Sequence, residues 1–499
     1  MTVLAHRATA SGSDDALTRD ALAVLQPGFE GTTAPAWLLR RVGEGLASVG
    51  LFGRNIDSPE QLAALTAQLR DVRDDVLVAI DEEGGDVTRL EVRGGSSFPG
   101  NLALGSVDDT ALTRDVAREL GRRLAECGVN LNWAPSADVN SNPDNPVIGV
   151  RSFGADTALA ARHTAAYVEG LQAAGVAACT KHFPGHGDTN VDSHHALPRI
   201  DADLDTLQAR ELIPFKAAVE AGTKAVMSAH ILVPALDPSR PATLSPQILT
   251  GLLRKELGYE GLIVTDGMEM NAIAGTYGIE RGSVLAIAAG ADAICVGGGL
   301  ADEATVLRLR DALVAAVREG VLPEERLADA AARVRALAEW TSRSRPDAPR
   351  EGSGASGIGL TAARRALAVT GRRAAVSMPY VATLAPVANI AVGDETPWGV
   401  AAELAELVPG TVAGVYPEGC AAADVLAAAG DRTVVAVVRD AHRHPWMTRI
   451  LDALVAARPD TVVVEMGLPR AEPRGALYIA THGASRVCGR AAAEVIAGR

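Results

Sequence analysis

The sequence predicts an α/β protein with two domains, a (β/α)8 TIM-type barrel at residues 1–340 followed by a smaller α/β/α sandwich at residues 359–499. Before residue 340, short apolar runs alternate with longer amphipathic segments, a pattern typical of parallel sheets covered by helices. The segment 341–358 is rich in Ser, Gly, Pro and charged residues and is therefore expected to be a linker. A second alternation of strands and helices follows it. A length of 499 residues also exceeds that of one usual domain.

Eight strands are expected in the first domain, and helical patterns lie between them. The apolar runs are Leu22–Leu25, Ser48–Phe52, Val76–Ile80, Val129–Trp133, Val176–Thr180, Ala225–Ala229, Leu262–Thr265 and Asp292–Val296. The helical patterns include 59–72, 108–127, 157–174, 204–221, 245–257 and 282–289. Eight strand-helix repeats suit a closed barrel with enlarged loops. An open doubly wound sheet remains the alternative, because a strand count alone does not exclude it.

The second domain is expected to be a three-layer sandwich. Its predicted strands are Ala374–Ser377, Ile390–Val392, Val412–Val415, Thr433–Val438, Thr461–Val464 and Ala476–Ile479. A role in packing, stability or dimerisation is expected for this domain. Its acidic residues, among them Asp394, Glu395 and Glu418, are expected to be solvated rather than catalytic.

Composition restricts the partners of the chain. The formal charge of -14 argues against nucleic acid and anionic membranes, which select for clustered Lys and Arg. Five well-separated cysteines fit free thiols in a reducing compartment. No run is long enough to span a bilayer, and residues 1–20 lack the apolar core of a signal peptide. A cytoplasmic monomer or homodimer acting on a small neutral molecule is therefore expected.

The segment 181–195, KHFPGHGDTNVDSHH, contains four of the ten histidines of the chain. Two kinds of chemistry suit it. A metal site would use His182, His186, Asp188 and His194, although the spacing matches no HExxH or paired CxxC motif. An acid/base site would use a histidine whose proton affinity is set by a nearby carboxylate, as in Asp192-Ser193-His194. The residue types alone leave both open.

Polar residues also follow the predicted strands where these end. The residues in these positions are Asp81, Asp138, Asn140, Lys181, His182, His230 and Asp266. In a barrel the carboxyl ends of all strands face one opening, where active sites are built. We therefore expect these side chains to converge.

Five motifs carry a family resemblance that covers the first domain. They are AIDEEGGDVTRL (79–90), NWAPSADVNSNPDNPVIGVRSFG (132–154), KHFPGHGDTNVDSHHALP (181–198), MSAHILVPALD (227–237) and IVTDGMEM (263–270). Together they resemble the N-acetylglucosaminidase branch of glycoside hydrolase family 3. The resemblance implies a retaining, exo-acting β-N-acetylhexosaminidase that releases terminal N-acetylglucosamine from chitobiose or cell-wall fragments. It implies no metal and no organic cofactor.

The resemblance also implies roles for single residues. Asp266 matches the nucleophile, which forms a covalent glycosyl-enzyme intermediate. His194 matches the general acid/base and Asp192 its partner, in place of the second carboxylic acid that most retaining glycosidases use. The positions that match substrate-binding residues are Asp81, Arg89, Arg151, Lys181 and His182. The chain departs from the family at position 86, where Asp86 stands in place of a residue that is often basic.

Three alternative functions remain at this stage. A neutral histidine repels an anion less than a carboxylate does, so phosphate in place of water would make the protein a β-N-acetylglucosaminide phosphorylase. A metal-dependent hydrolase is the second alternative, and a non-catalytic sugar-binding protein is the third. Only 17 residues are aromatic (6 Phe, 5 Trp and 6 Tyr), which favours a small pocket over a long stacking cleft.

Overall fold

The computed structural model describes residues 15–191, 197–345, 357–372, 376–387, 392–393 and 395–499. It confirms the predicted fold class, because a ring of parallel strands is followed by a second α/β sheet. The strands of the first domain are β1 (Leu25–Pro27), β2 (Ser48–Leu51), β3 (Leu77–Ile80), β4 (Leu131–Asn132), β5 (Ala177–Phe183), β6 (Ala225–Ser228), β7 (Leu262–Thr265) and β8 (Ile294–Val296).

Neighbouring strands of the first domain are parallel. Strands β2 to β7 form one curled six-stranded sheet in chain order, and β8 pairs with β1. A bridge between Val264 and Ala293 joins β7 to the segment that leads into β8. Gln26 on β1 donates a side-chain hydrogen bond to Ser48 on β2. Strands β3 and β7 are buried along their whole length, because their inner faces fill the barrel and helices cover their outer faces.

Helices surround this sheet. They are α1 (15–23), α2 (Ala36–Glu44), α3 (Pro59–Val72), α4 (Asn101–Val107), α5 (Thr110–Glu126), α6 (Thr157–Ala173), α7 (Leu204–Thr206), α8 (Leu212–Glu220), α9 (Asn271–Tyr277), α10 (Ile279–Ala289), α11 (Glu303–Arg318) and α12 (Glu324–Ser344). The stretches Leu207–Glu211 and Gln247–Glu256 have π-helical hydrogen bonding. Aspartates cap α5, α6 and α11 by accepting a backbone hydrogen bond in the first turn. Within the described residues, no helix combines the length and apolarity needed to cross a membrane.

Two of the differences from the expected boundaries change the type of secondary structure. The run Leu22–Leu25 was expected to be the first strand, but 15–23 is helical and β1 starts only at Leu25. Leu22 and Ala23 are buried on the inner side of that helix, so burial and not strand pairing explains why they are apolar. Helix α12 continues to Ser344, into the segment that was expected to be a linker.

The second domain is a mostly parallel six-stranded sheet. Its strands are β9 (Ala368–Gly371), β10 (Tyr380–Leu384), β11 (Val412–Tyr416), β12 (Val434–Val438), β13 (Val462–Glu465) and β14 (Leu477–Ala480), in the spatial order β11-β10-β12-β13-β14-β9 with β9 antiparallel. Its helices are α13 (Ile358–Ala366), α14 (Ala401–Leu407), α15 (Ala422–Ala429), α16 (Pro445–Ala457) and α17 (Arg486–Ile496). Separate apolar cores on the two faces of the sheet make it a three-layer sandwich.

The first two strands of this domain were predicted in the wrong place. The described parts of Ala374–Ser377 and Ile390–Val392 form no strand, and 374–375 and 390–391 lie outside the described residues. Among the described residues of this region, those of β10 form a strand, which is fully buried between β11 and β12.

A buried ion pair joins the two domains. Asp86, on the loop after β3, accepts a hydrogen bond from the guanidinium of Arg439, on the loop after β12. Its other oxygen accepts a 2.6 Å hydrogen bond from the main chain of Ala484. Burial raises the pKa of Asp86 although Arg439 acts to lower it. The departure from the family at position 86 therefore belongs to the domain contact.

Candidate active site

A cavity of about 660 Å³ opens at the carboxyl ends of the barrel strands. Its charged and imidazole side chains are Arg54, Asp81, Arg89, Arg151, Lys181, His182, His186, Asp266, Glu269 and Glu395. Six of the predicted site residues are thus brought together. The other two, Asp192 and His194, lie outside the described residues.

Lys181 is the most buried cation of the cavity. Its side chain extends from β5 with only 2% of its surface exposed. Its Nζ lies 2.5 Å from Oδ1 of Asp81 and 2.6 Å from Oε1 of Glu83, both on the loop after β3. Burial alone would lower the pKa of Lys181, but the two carboxylates raise it above its ordinary value. The ammonium group is therefore held charged between two acceptors.

Glu83 also binds Arg151, which the short helical turn Gly149–Arg151 presents to the cavity. The guanidinium makes two hydrogen bonds, Nε to Oε2 at 3.0 Å and Nη2 to Oε1 at 2.7 Å. Burial would raise the pKa of Glu83, but Arg151 and Lys181 outweigh it and hold the pKa well below its usual range. Glu83 was not predicted as a site residue, and it is the carboxylate that orients both cations.

The neighbouring Glu82 has a different role. Its Oε2 accepts hydrogen bonds from the Thr88 hydroxyl at 2.9 Å and from the backbone of Arg89 and Leu90 at 2.8 Å each. Burial raises the pKa of Glu82 to about 7. Glu82 thereby fixes the turn that presents Arg89, whose Nη2 lies 3.8 Å from Oδ2 of Asp81.

A buried carboxylate on the segment after β4 organises the histidines. Oδ2 of Asp138 lies 2.7 Å from Nδ1 of His182, and Oδ1 accepts from the backbone of His186 at 2.7 Å. Burial would raise the pKa of Asp138, but His182 outweighs this and the pKa lies well below its usual range. Burial lowers the pKa of His186 to about 4, so this imidazole is neutral at pH 7.

The loop that follows β5 packs tightly against its surroundings. A Cβ atom on Gly187 would lie 1.7 Å from the carbonyl oxygen of Val139, so only glycine fits there. Gly185 has φ +127° and its Cβ position lies 2.7 Å from Oε2 of Glu211. Asp188 forms a 2.6 Å ion pair with Arg210. These contacts anchor the loop as far as the described residues extend.

Asp266 follows β7 directly, and its side chain is partly exposed to the cavity. The backbone of the next residue, Gly267, donates to Oδ1 at 2.8 Å. Nε2 of His230 lies 2.9 Å from the carbonyl oxygen of Gly267 and must donate to it. The Thr243 hydroxyl lies 2.8 Å from the other ring nitrogen. His230 is therefore a positioning residue for the turn that carries Asp266, and it does not line the cavity.

Three further charged residues that line the cavity were not predicted as site residues. They are Arg54, Glu269 and Glu395, of which Glu395 comes from the second domain. Glu395 is exposed, as expected for a solvated acid, but it faces the cavity. No group of three His, Cys, Asp or Glu side chains suited to a metal ion occurs in the described parts of the chain.

Comparison with known proteins identifies the family. The model of the glycosyl hydrolase family 3 N-terminal domain matches residues 37–337. The chain belongs to glycosyl hydrolase family 3. It is 38% identical over 312 residues to the beta-hexosaminidase A of Pseudoalteromonas piscicida. The aligned region covers 58% of this chain and 52% of that protein. This family 3 chain thus spans about half the length of that relative.

A second relative and a solved structure extend the similarity. The beta-hexosaminidase of Chromobacterium violaceum is 37% identical over 258 residues, or 50% of this chain and 71% of the relative. The solved family 3 beta-N-acetylglucosaminidase from Paenibacillus sp. str. FPU-7 is 34% identical, with a TM-score of 0.87 and 96% coverage of both chains. Both domains of this family 3 protein are therefore shared with a known structure.

Proposed function

We propose that the chain is a retaining, exo-acting β-N-acetylhexosaminidase that releases terminal N-acetylglucosamine from small oligosaccharides such as chitobiose or cell-wall fragments. One observation carries the proposal: Asp266 lines the same cavity as the five side chains that match sugar-binding residues of the family. The names of the two relatives, both beta-hexosaminidases, support the substrate class.

The charges of the cavity suit a neutral sugar. Lys181 and Arg151 are each bound to carboxylates, so they offer directed N–H donors with their charge already balanced. The carboxylates accept hydroxyl protons in the same place, and such charge-assisted hydrogen bonds are stronger than neutral ones. A neutral polyol therefore suits this group of side chains better than an anion does.

The proposed reaction has two steps. The Asp266 carboxylate attacks the anomeric carbon, the bond to the leaving oxygen breaks, and His194 gives that oxygen a proton. Water then attacks the glycosyl ester while His194 takes its proton, and Asp266 is released. Asp192 orients the His194 ring. The roles of Asp192 and His194 rest on the family resemblance, because both lie outside the described residues.

Trapping of the intermediate tests the proposal. A 5-fluoro analogue of N-acetylglucosaminyl fluoride slows both steps, and peptide mass spectrometry should find the sugar ester on the peptide that contains Asp266. Asp266→Ala should give no adduct and should lose at least about 10³-fold in kcat. An adduct on another residue, or an unlabelled protein that still turns over substrate, would contradict the assignment.

The same assay separates the alternatives. Turnover with inorganic phosphate present should still give free N-acetylglucosamine, whereas a phosphorylase would give the sugar 1-phosphate. Chelation should leave the rate unchanged, whereas a metal-dependent hydrolase would lose activity and regain it with Zn²⁺. We also propose a cytoplasmic location, because all five cysteines are free and four of them are buried.

A further inference from the structure

One wall of the cavity is built by both domains. Val392, Gly393 and Glu395 of the second domain lie there beside Gly53 and Arg54, which follow β2. Oε2 of Glu395 lies 3.0 Å from the position that a Cβ on Gly53 would take. The carboxylate of the second domain therefore lies directly against the end of a barrel strand.

The topology of the second sheet explains why this loop reaches the cavity. Strand β10 lies between β11 and β12, so the order of the strands reverses there. Ligands of open α/β sheets bind outside the carboxyl ends of the strands at such a reversal. The chain that leaves β10 leads to Glu395, and Arg439, after β12, forms the ion pair with Asp86 of the barrel. The carboxyl-terminal edge of the second sheet thus faces the barrel opening.

This wall carries an excess of negative charge. Arg54 is its cation, and its guanidinium donates to the carbonyl oxygens of Phe29 at 3.1 Å and Gly298 at 3.1 Å. Its charge faces three carboxylates, those of Glu30, Glu269 and Glu395. Glu30 forms a 3.1 Å ion pair with it. Among these four residues, the carboxylates of Glu269 and Glu395 therefore have no ion-pair partner.

Glu269 is held by backbone hydrogen bonds on the loop that carries the proposed nucleophile. Its Oε1 accepts hydrogen bonds from the backbone of Gly297 at 2.9 Å and of Gly298. Its Oε2 has no hydrogen-bond partner within the described chain. It lies three residues after Asp266 on the same loop, whereas the cluster of Lys181 and Arg151 comes from β5 and the loops after β3 and β4. The Glu269 side of the cavity is thus built by a different part of the barrel from the cluster of Lys181 and Arg151.

We propose that Glu269 and Glu395 form an acidic wall that binds the leaving group and selects neutral or cationic aglycones over those that carry a carboxylate. The inference rests on the proposed function, because an aglycone is present only if a glycosidic bond is cleaved here. A carboxylate on the aglycone would be repelled by both side chains, whereas an ammonium group would be attracted. The second domain is then a specificity element of the site.

Three aryl N-acetyl-β-glucosaminides of similar shape test the acidic wall. Their aglycones are 4-carbamoylphenyl, which is neutral, 4-carboxyphenyl, which is anionic, and 4-(aminomethyl)phenyl, which is cationic. The ratio of kcat/KM for the anionic and the neutral substrate is measured in wild type and in Glu395→Gln. Comparing ratios between proteins cancels the intrinsic difference between the leaving groups.

We expect Glu395→Gln to raise the anionic-to-neutral ratio about three- to tenfold and to lower the cationic-to-neutral ratio. The change should shrink when the ionic strength rises from about 0.02 to about 0.5 M. Glu395→Asp keeps the charge and should keep the wild-type ratios. Glu418→Gln, an exposed acid of the same domain that does not line the cavity, should also keep them.

Two failures are distinguishable. Equal ratios in wild type and Glu395→Gln, with normal turnover of the neutral substrate, would overturn the acidic wall and leave the hydrolase intact. No turnover of any of the three substrates by the wild type would overturn the proposed function and the acidic wall with it.

Discussion

Asp138 and His182 form a buried pair in which the carboxylate fixes the orientation of the imidazole ring. Oδ2 of Asp138, a pure acceptor, lies 2.7 Å from Nδ1, so Nδ1 carries the proton. On the other side of the ring, Nη2 of Arg151 lies 3.3 Å from Nε2 and donates to it. The two partners therefore orient the ring, with Nδ1 towards Asp138 and Nε2 towards Arg151. His182 faces the cavity in this orientation.

Asp138→Asn is expected to weaken substrate binding. Both oxygens of Asp138 accept hydrogen bonds, from Ser136 at 2.8 Å as well as from the two histidines, so either orientation of an amide sets an N–H group against a donor. Losing a charged hydrogen bond costs about 1.5 to 3 kcal/mol, which corresponds to a rise in KM of about ten- to a hundredfold. Steady-state kinetics on nitrophenyl N-acetyl-β-glucosaminide measures this.

Asp188→Asn is the matched control for that variant. Asp188 lies in the same loop region, is partly exposed and binds Arg210 outside the cavity. Its KM should change less than threefold, roughly the effect of an exposed ion pair. Equal KM values for Asp138→Asn and the wild type, in folded proteins, would show that Asp138 does not hold His182 in a position that substrate binding requires.

His194→Ala should affect substrates according to their leaving groups. A nitrophenolate leaves without protonation, whereas the sugar alkoxide of chitobiose does not, so only the second needs a general acid. We expect a loss of about 10²- to 10⁴-fold in kcat/KM on chitobiose and a much smaller loss on the nitrophenyl substrate. Asp192→Asn should fall between wild type and His194→Ala. Equal losses on both substrates would exclude His194 as the acid.

The ion pair between Asp86 and Arg439 should stabilise the protein far more than a surface pair. Removing one partner leaves an uncompensated buried charge, which typically costs about 3 to 5 kcal/mol. We therefore expect Asp86→Ala to lower the urea midpoint strongly, and Arg439→Met added to it to restore part of the loss. Asp57→Ala, which breaks the exposed pair with Arg93, should cost about 0 to 1 kcal/mol. Similar losses in the two single aspartate variants would contradict a stabilising domain contact.

The barrel could be predicted because its strands are short apolar runs followed by polar residues. Strand β7, Leu262–Thr265, ends directly before Asp266 and agrees with the predicted run. Strand β10 was missed because YVATL follows a proline and is no more apolar than its surroundings, so its burial comes from the strands on both sides. In the segment before β1, a strand was predicted where the chain is helical. A buried helix and a buried strand can have the same composition, so the apolar run did not distinguish them.

The partners of the site residues could not be predicted, because they are distant in sequence. Glu82 and Glu83 are adjacent and identical in type, yet one caps the Arg89 turn and the other binds Arg151 and Lys181. Nothing local distinguishes them, since the ligands of Glu83 come from other strands of the barrel. The position of Glu395 is still harder to predict from the sequence, because it depends on how the second domain packs on the first.

Glu211 should make the protein less stable as the pH rises. It lies under the Gly185 turn with one oxygen bound to Arg210 at 2.6 Å and the other without a partner among the described residues. Burial raises the pKa of Glu211 to about 7, from an ordinary value of 4.5. Between these two pH values the folded state holds the proton and the unfolded state does not, so stability falls as pH rises and remains lower above pH 7.

Replacing Glu211 by Gln should remove that dependence. The raised pKa corresponds to a penalty of about 2 to 3 kcal/mol at pH 8 and close to none at pH 4.5. The difference in unfolding free energy between Glu211→Gln and wild type, from urea titrations at both pH values, should therefore shift in favour of the variant by that amount as the pH rises. Glu220→Gln, an exposed position at the end of α8, should show no such shift. A pH-independent difference for Glu211→Gln would mean that the carboxyl is ionised in the folded protein at neutral pH.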